Sequence, residues 1–132
     1  MGTQSTDSSS AIDSAEFDRW KAQRIVNYDM TISLETTSYL EPAGAVIVKV
    51  RNASPTSIEV ADAHDRGGRL GFYEPYRNVE LMYARIAELR QRRGAVSVKY
   101  NEQNGYPEEI EYLEGNPDAS FTFRVLRFER VD

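Results

Sequence analysis

Few residues in this chain have both the type and the spacing to do chemistry. Asp62-Ala63-His64-Asp65 sets the only imidazole between two carboxylates, a ligand set that a hard cation accepts. Gly67 and Gly68 follow, so the same four residues also read as a solvated loop. Glu108, Glu109, Glu111 and Glu114 form an acidic run suited to a basic partner. Strand alternation would put every second one on a solvated face. Arg85, Arg90, Arg92 and Arg93 gather toward the end of a helical pattern, where cations meet the negative end of the helix dipole. Phe72, Tyr73 and Tyr76 put aromatic weight into one loop, either as a contact surface or as the mass that folds the loop onto a sheet. Asn101–Gly105 superficially resembles a calcium loop but lacks its acidic spacing, and Asn104-Gly105 between two strands is a turn signal. No nucleophile elbow, zinc-protease motif or phosphate-binding loop is present.

Composition narrows the choices further. With 132 residues, 40% of them hydrophobic, the chain has one domain's length and enough apolar side chains for a core. Sixteen basic against twenty-one acidic residues give a net charge of −5, a poor balance for general nucleic-acid binding. The absence of cysteine excludes disulfides, thiolate metal sites and cysteine nucleophiles, and a single histidine excludes a multi-histidine metal centre within one chain. No catalytic, cofactor-binding or metal-binding residue is assigned, and no cofactor is expected. The longest apolar run, Ala45–Val48, is strand-sized, far short of the ~18 residues of a membrane span. Residues 1–10 are polar and serine-rich without an apolar segment. The expectation is a flexible polar tether over 1–12, an ordinary terminus or the spacer left after an export signal is removed. A single α+β domain then covers 13–132.

The elements that position these residues follow from periodicity. Asp13, with Glu16 three residues later, predicts a helix start, and Phe17, Trp20 and Ile25 supply its apolar stripe. Tyr28, Met30, Ile32 and Leu34 alternate with Asp29, Thr31, Ser33 and Glu35, which predicts a strand with one dry and one wet face. Val46, Val48 and Val50 predict a second strand, and Ile58 and Val60 a third. Residues 62–77 read as a long loop. Asn78 caps a second helix with Val79, Met82, Tyr83, Ile86 and Leu89 on one face, and Gly94 suits its C-terminal cap. Three more strands follow, around Val96–Tyr100, Ile110–Tyr112 and Phe121–Phe128. In the last, the apolar phase shifts after Val125 to Leu126 and Phe128, which signals a β-bulge or an end buried on both faces.

The halves share letters as well as order. Ala45-Val-Ile-Val-Lys49-Val, a turn, then Pro55-Thr-Ser-Ile58-Glu59-Val60 parallels Ala95-Val-Ser-Val-Lys99-Tyr, a turn two residues longer, then Pro107-Glu-Glu-Ile110-Glu111-Tyr112. The prediction is tandem αβββ units, a six-stranded antiparallel sheet and two helices on its one dry face. Lys49 should then face Glu59, and Lys99 should face Glu109 or Glu111. Trp20 and Tyr28 fall on apolar faces and should be core.

Taken together, Trp20 with Tyr28-Asp29, Val48-Lys49-Val50, Met82-Tyr83, Val96-Ser-Val98-Lys-Tyr100 and Gly105-Tyr106-Pro107-Glu-Glu-Ile110 resemble the bacterial family known as domain of unknown function 6174, over about residues 17–128. The resemblance implies exported, often lipid-anchored single-domain proteins, and it brings no activity, cofactor or catalytic residue. Members often carry two close cysteines after the first strand, whereas Thr36–Pro42 here has none.

Two functions stay open from the sequence. One is a non-enzymatic envelope protein offering a sheet face or loop, with Phe72, Tyr73, Tyr76, Glu109 and Glu111 as its contact residues, to a protein partner in the cell envelope. It would touch a membrane only through a lipid anchor absent from this chain. The other is a small ligand-binding protein or enzyme with a pocket between helices and sheet, lined by Trp20, Tyr28, Tyr83 and Tyr100 with His64 at its mouth. A packed interface there favours the first.

Overall fold

The computed structural model describes residues 4–36, 45–61, 70–115 and 119–131. Helix α1 spans Gln4–Ala22, and strands β1 (Tyr28–Thr36), β2 (Val46–Arg51) and β3 (Ser54–Val60) follow. A 3₁₀ helix, Leu70–Tyr76, leads into α2 (Val79–Arg90), then β4 (Ala95–Tyr100), β5 (Pro107–Leu113) and β6 (Phe121–Arg130). All six strands form one antiparallel sheet in the order β3-β2-β1-β6-β5-β4. Two meanders lie side by side, joined where the first strand pairs with the last. The fold is the α+β architecture that the element order predicts.

Alternation makes the dry face. Tyr28, Met30 and Ile32 on β1, Val46, Val48 and Val50 on β2, Ile110 and Tyr112 on β5, and Phe123 on β6 are essentially inaccessible. Both helices pack on that face. Trp20 of α1 meets Tyr28 and Phe128 edge-on at 5.5 and 5.9 Å. Val79, Met82, Ile86 and Leu89 of α2 join the same core. Trp20 and Tyr28 are therefore core residues, 1% and 0% exposed.

The letter match between the halves is structural. In the first hairpin Lys49 pairs with Ser57 and Val50 with Pro55, so Thr56 is an extra residue. In the second Lys99 pairs with Glu109 and Tyr100 with Pro107, so Glu108 is extra in the same place. Each proline stands directly beside the bulge of its strand, where regular pairing is interrupted and a proline is tolerated. The register corrects one expectation: Glu59 lies opposite Ile47, and Lys49 opposite Ser57. The bulge displaces the pairing by the residue that simple alternation does not count. On β6 the phase shift is also a bulge, since Thr31 pairs with Arg127 and Ile32 with Val125, leaving Leu126 unpaired and 55% exposed.

The turns differ in what they hold. Asn52 and Ala53, with φ of 52° and 65°, make the two-residue turn whose left-handed backbone suits the twist of a hairpin. Ala53 donates to the Val26 carbonyl and accepts from the Asn78 side-chain amide at 3.0 Å. The Asn78 Oδ1 in turn accepts from Leu81 N at 2.7 Å, capping α2 as expected. Alanine is the wrong residue for a left-handed position. Ala53→Gly should raise stability by about 1 kcal/mol. That appears as a higher urea midpoint at constant slope, and an unchanged midpoint would contradict it.

In the second turn, Gly105 has φ of 84°, and a Cβ there would stand 2.9 Å from the Glu16 carbonyl. The turn is a seat for α1: Gln23 Nε2 donates to Asn104 O at 2.7 Å, and the Tyr83 hydroxyl donates to Gly105 O. Gly94 does not cap α2, which ends with Gln91 as its C-cap. It is required because a Cβ would collide with the Tyr112 ring and Leu113 O at 2.6 Å.

Candidate functional site

Asp62, His64 and Asp65 lie outside the described residues, as does the Phe72 side chain. Tyr73 and Tyr76 do not form a contact surface, because they are 0% and 1% exposed. A 3₁₀ helix brings residues three apart onto one side, so both rings turn inward together. The Tyr73 hydroxyl accepts from Leu34 N at 3.1 Å, and Tyr76 stacks on Phe123 at 4.3 Å. Their aromatic weight folds the segment onto the sheet.

Among the described residues, the space between helices and sheet is occupied by buried side chains. Trp20 Nε1 donates to Glu80 Oε2 at 2.9 Å, and Tyr28 Oη accepts from Val79 N, also at 2.9 Å, at the start of α2. Burial pushes the Tyr28, Tyr83 and Tyr100 hydroxyls above their ordinary range, so they are proton-holding structural groups. Asp13 is not a helix cap. It sits well inside α1, its carboxylate accepting from Arg90 Nε and Nη2 and from the Tyr100 hydroxyl. This cluster joins α1, α2 and β4. Lys21 over Phe17, Phe17 on Tyr83 and Tyr83 on Tyr100 form a continuous stack beside it. A shallow groove of about 290 Å³ runs along the helix seam beside Phe17, Ala84 and Ala87. Of its polar groups, Asp13 and Tyr83 are engaged in the fold, and Glu80 accepts from Trp20 with one oxygen and holds the other without a partner among the described residues. The sequence carried one signal for this cluster: Asp13, Glu16, Phe17 and Trp20 recur at helical spacing, so Asp13 shares the buried stripe.

The wet face is the broad surface of charged side chains. Register aligns its residues in rows that cross the sheet. One runs Ser57, Lys49, Asp29, Glu129, and the next Glu59, Ile47, Thr31, Arg127. Beyond Leu126 come Ser33, Arg124, Glu109, Lys99, then Glu35, Thr122, Glu111, Ser97. Arg124 bridges Glu35 at 3.2 Å and Glu109 at 3.1 Å, and Arg51 pairs with Asp29 at 2.9 Å. Lys99 and Glu111 have no ion-pair partner among the described residues. Glu109 and Glu111 thus stand on this face as expected, with β4 at one border. A dish of about 250 Å³ opens at the opposite side, around Lys49, Glu59 and Arg127.

The family model of unknown function DUF6174 matches residues 13–125. The chain belongs to DUF6174. The matched span opens at Asp13, which ties α1 to Arg90 and Tyr100, and closes at Val125, next to the β6 bulge. The Gly105-Tyr106-Pro107 turn that carried the resemblance has a structural role at each position. Gly105 admits α1, Tyr106 stacks on Phe128 at 4.4 Å, and Pro107 stands beside the bulge, opposite Tyr100. No curated protein and no solved structure matches the chain. For this DUF6174 chain, the reading of function therefore comes from its own surfaces.

Proposed function

We propose that this protein is a non-enzymatic bacterial envelope module, exported from the cell, that binds a protein partner through the wet face of its sheet. One observation carries the reading. Among the described residues, buried apolar and aromatic side chains close the dry face, while the wet face presents charges of both signs in register. Aromatic residues that would line a ligand pocket, Trp20 and Tyr28, are used up in packing. A rigid six-stranded platform with fixed side-chain rows is suited to recognising another folded surface, where charge pattern sets specificity and approach rate. The half around Glu35, Glu109 and Glu111 suits a basic patch on the partner. Export is supported by the family resemblance.

The test uses the double variant Glu109→Lys/Glu111→Lys. It removes a half-exposed pair with Arg124, worth only about 0.2–1 kcal/mol, so the fold should persist, as circular dichroism will check. The wild-type protein immobilised in an envelope extract should retain a partner that the double variant loses and an Ala84→Lys helix-face variant keeps. Retention by the double variant with loss in Ala84→Lys would move the site to the helix seam.

A further inference from the structure

The two free edges of the sheet are treated differently. Edge strand β3 is blunted by Pro55, the bulge at Thr56 and the charge of Glu59, the ordinary defences against strand addition. Edge strand β4 has only one of them, the charge of Lys99: it contains no proline, and the bulge of its hairpin sits on β5, at Glu108. Among the described elements, none lies beyond it.

The backbone of β4 shows which groups face out. Asn101 N donates inward to Tyr106 O, and Gly105 N donates to Asn101 O. Strand alternation then turns the N–H and C=O of Tyr100, Val98 and Val96 away from β5. The Val96 carbonyl agrees, since a guanidinium nitrogen of Arg90 approaches it at 3.5 Å. The side chains of Val96, Val98 and Tyr100 are only partly buried although they pack against the core. Helix α1 runs from Trp20, over β1 and β6, to Asp13 at Tyr100, so its preceding turn, with Ile12 at 56% exposure, is the one nearest this edge.

Charge indicates what fits there. On the wet side the edge residue Ser97 is small, and directly behind it stands Glu111, without an ion-pair partner among the described residues. A long cationic side chain opposite Ser97 reaches over the serine to Glu111. We propose that β4 takes an extended segment of the protein partner as a seventh strand, reading apolar–basic–apolar, with its lysine or arginine over Ser97. This rests on the binding-module reading and narrows it to one border of the face. Backbone pairing supplies the hold and the alternating side chains the choice.

The probe is a capped peptide, Thr-Val-Thr-Val-Arg-Val-Thr, added to the full chain and followed by amide hydrogen exchange. The amides of Val96, Val98 and Tyr100 should slow on binding, whereas those of Ser97 and Lys99, already turned toward β5, should not change. Glu111→Lys should weaken the peptide by about two- to fivefold and favour its Arg-to-Glu counterpart. No slowing at millimolar peptide, or binding indifferent to Glu111→Lys, overturns the proposal. So does slowing of the same three amides with rising protein concentration and no peptide, which would assign the edge to a second copy. If the peptide fails while Glu109→Lys/Glu111→Lys still loses the partner, the edge is wrong and the face is right. If the double variant also keeps its partner, the binding face itself is wrong.

Discussion

Replacing Trp20 with alanine should lower the unfolding free energy by about 3–5 kcal/mol, the range for truncating a buried large aromatic. Three contributions act together. The indole is 1% exposed and touches Tyr28, Tyr106 and Phe128 edge-on, so its removal opens a cavity among rings that cannot all close in. Its N–H is the described donor to Glu80, whose other oxygen is already buried without a partner among the described residues. Loss of the indole leaves that carboxylate less satisfied, at a further desolvation cost. Trp20→Phe separates the effects, since it refills much of the space and cannot donate. It should recover more than half of the loss. An Ala variant within 1 kcal/mol of wild type in a urea melt would contradict the packing described here.

Breaking the Asp13–Arg90 pair should cost about 2–4 kcal/mol, near the lower part of the range for a largely buried ion pair. Both side chains are about 15% exposed, and Asp13 also accepts from Tyr100, so Asp13→Ala strands a cation and a hydroxyl together. The Asp13 carboxylate, through its hydrogen bonds, holds the Arg90 guanidinium above its already high range; without Asp13 that support is lost, but a guanidinium stays charged at neutral pH by itself. A double-mutant cycle with Arg90→Met is the decisive arrangement. Asp13→Ala/Arg90→Met should be less destabilised than the sum of the single variants, because the stranded charge is gone. Strict additivity would mean that the two residues do not act as a pair.

The sequence carried the periodic parts of this molecule clearly. Tyr28 to Leu34 alternate without exception, and their burial follows the alternation. The shift between Val125 and Phe128 marked a real bulge, and the repeated valine–lysine letters marked hairpins of the same register. What periodicity does not contain is pairing between distant strands. The β1–β6 ladder joins residues about a hundred positions apart, with no turn between them to advertise it. Asp13 was legible as an acid near a helix start, and cap chemistry was the nearest local explanation. Its actual partners come from α2 and β4. Tyr73 and Tyr76 read as a contact loop because the 3₁₀ helix that turns them inward is too short for a periodic signal. Of the contact residues named at the outset, Glu109 and Glu111 remain on an open face, since strand alternation alone fixed their side of the sheet.

The central claim is that a protein partner meets the wet face and not the helices. It is tested most directly by placing a photo-crosslinking residue at one of four positions in the full chain, Glu111 or Thr122 on the sheet and Ala84 or Ala87 on α2, and irradiating each in envelope extract. A shared crosslinked species from the two sheet positions and none from the two helix positions is the predicted result. A species formed from Ala84 and Ala87 alone would contradict the account.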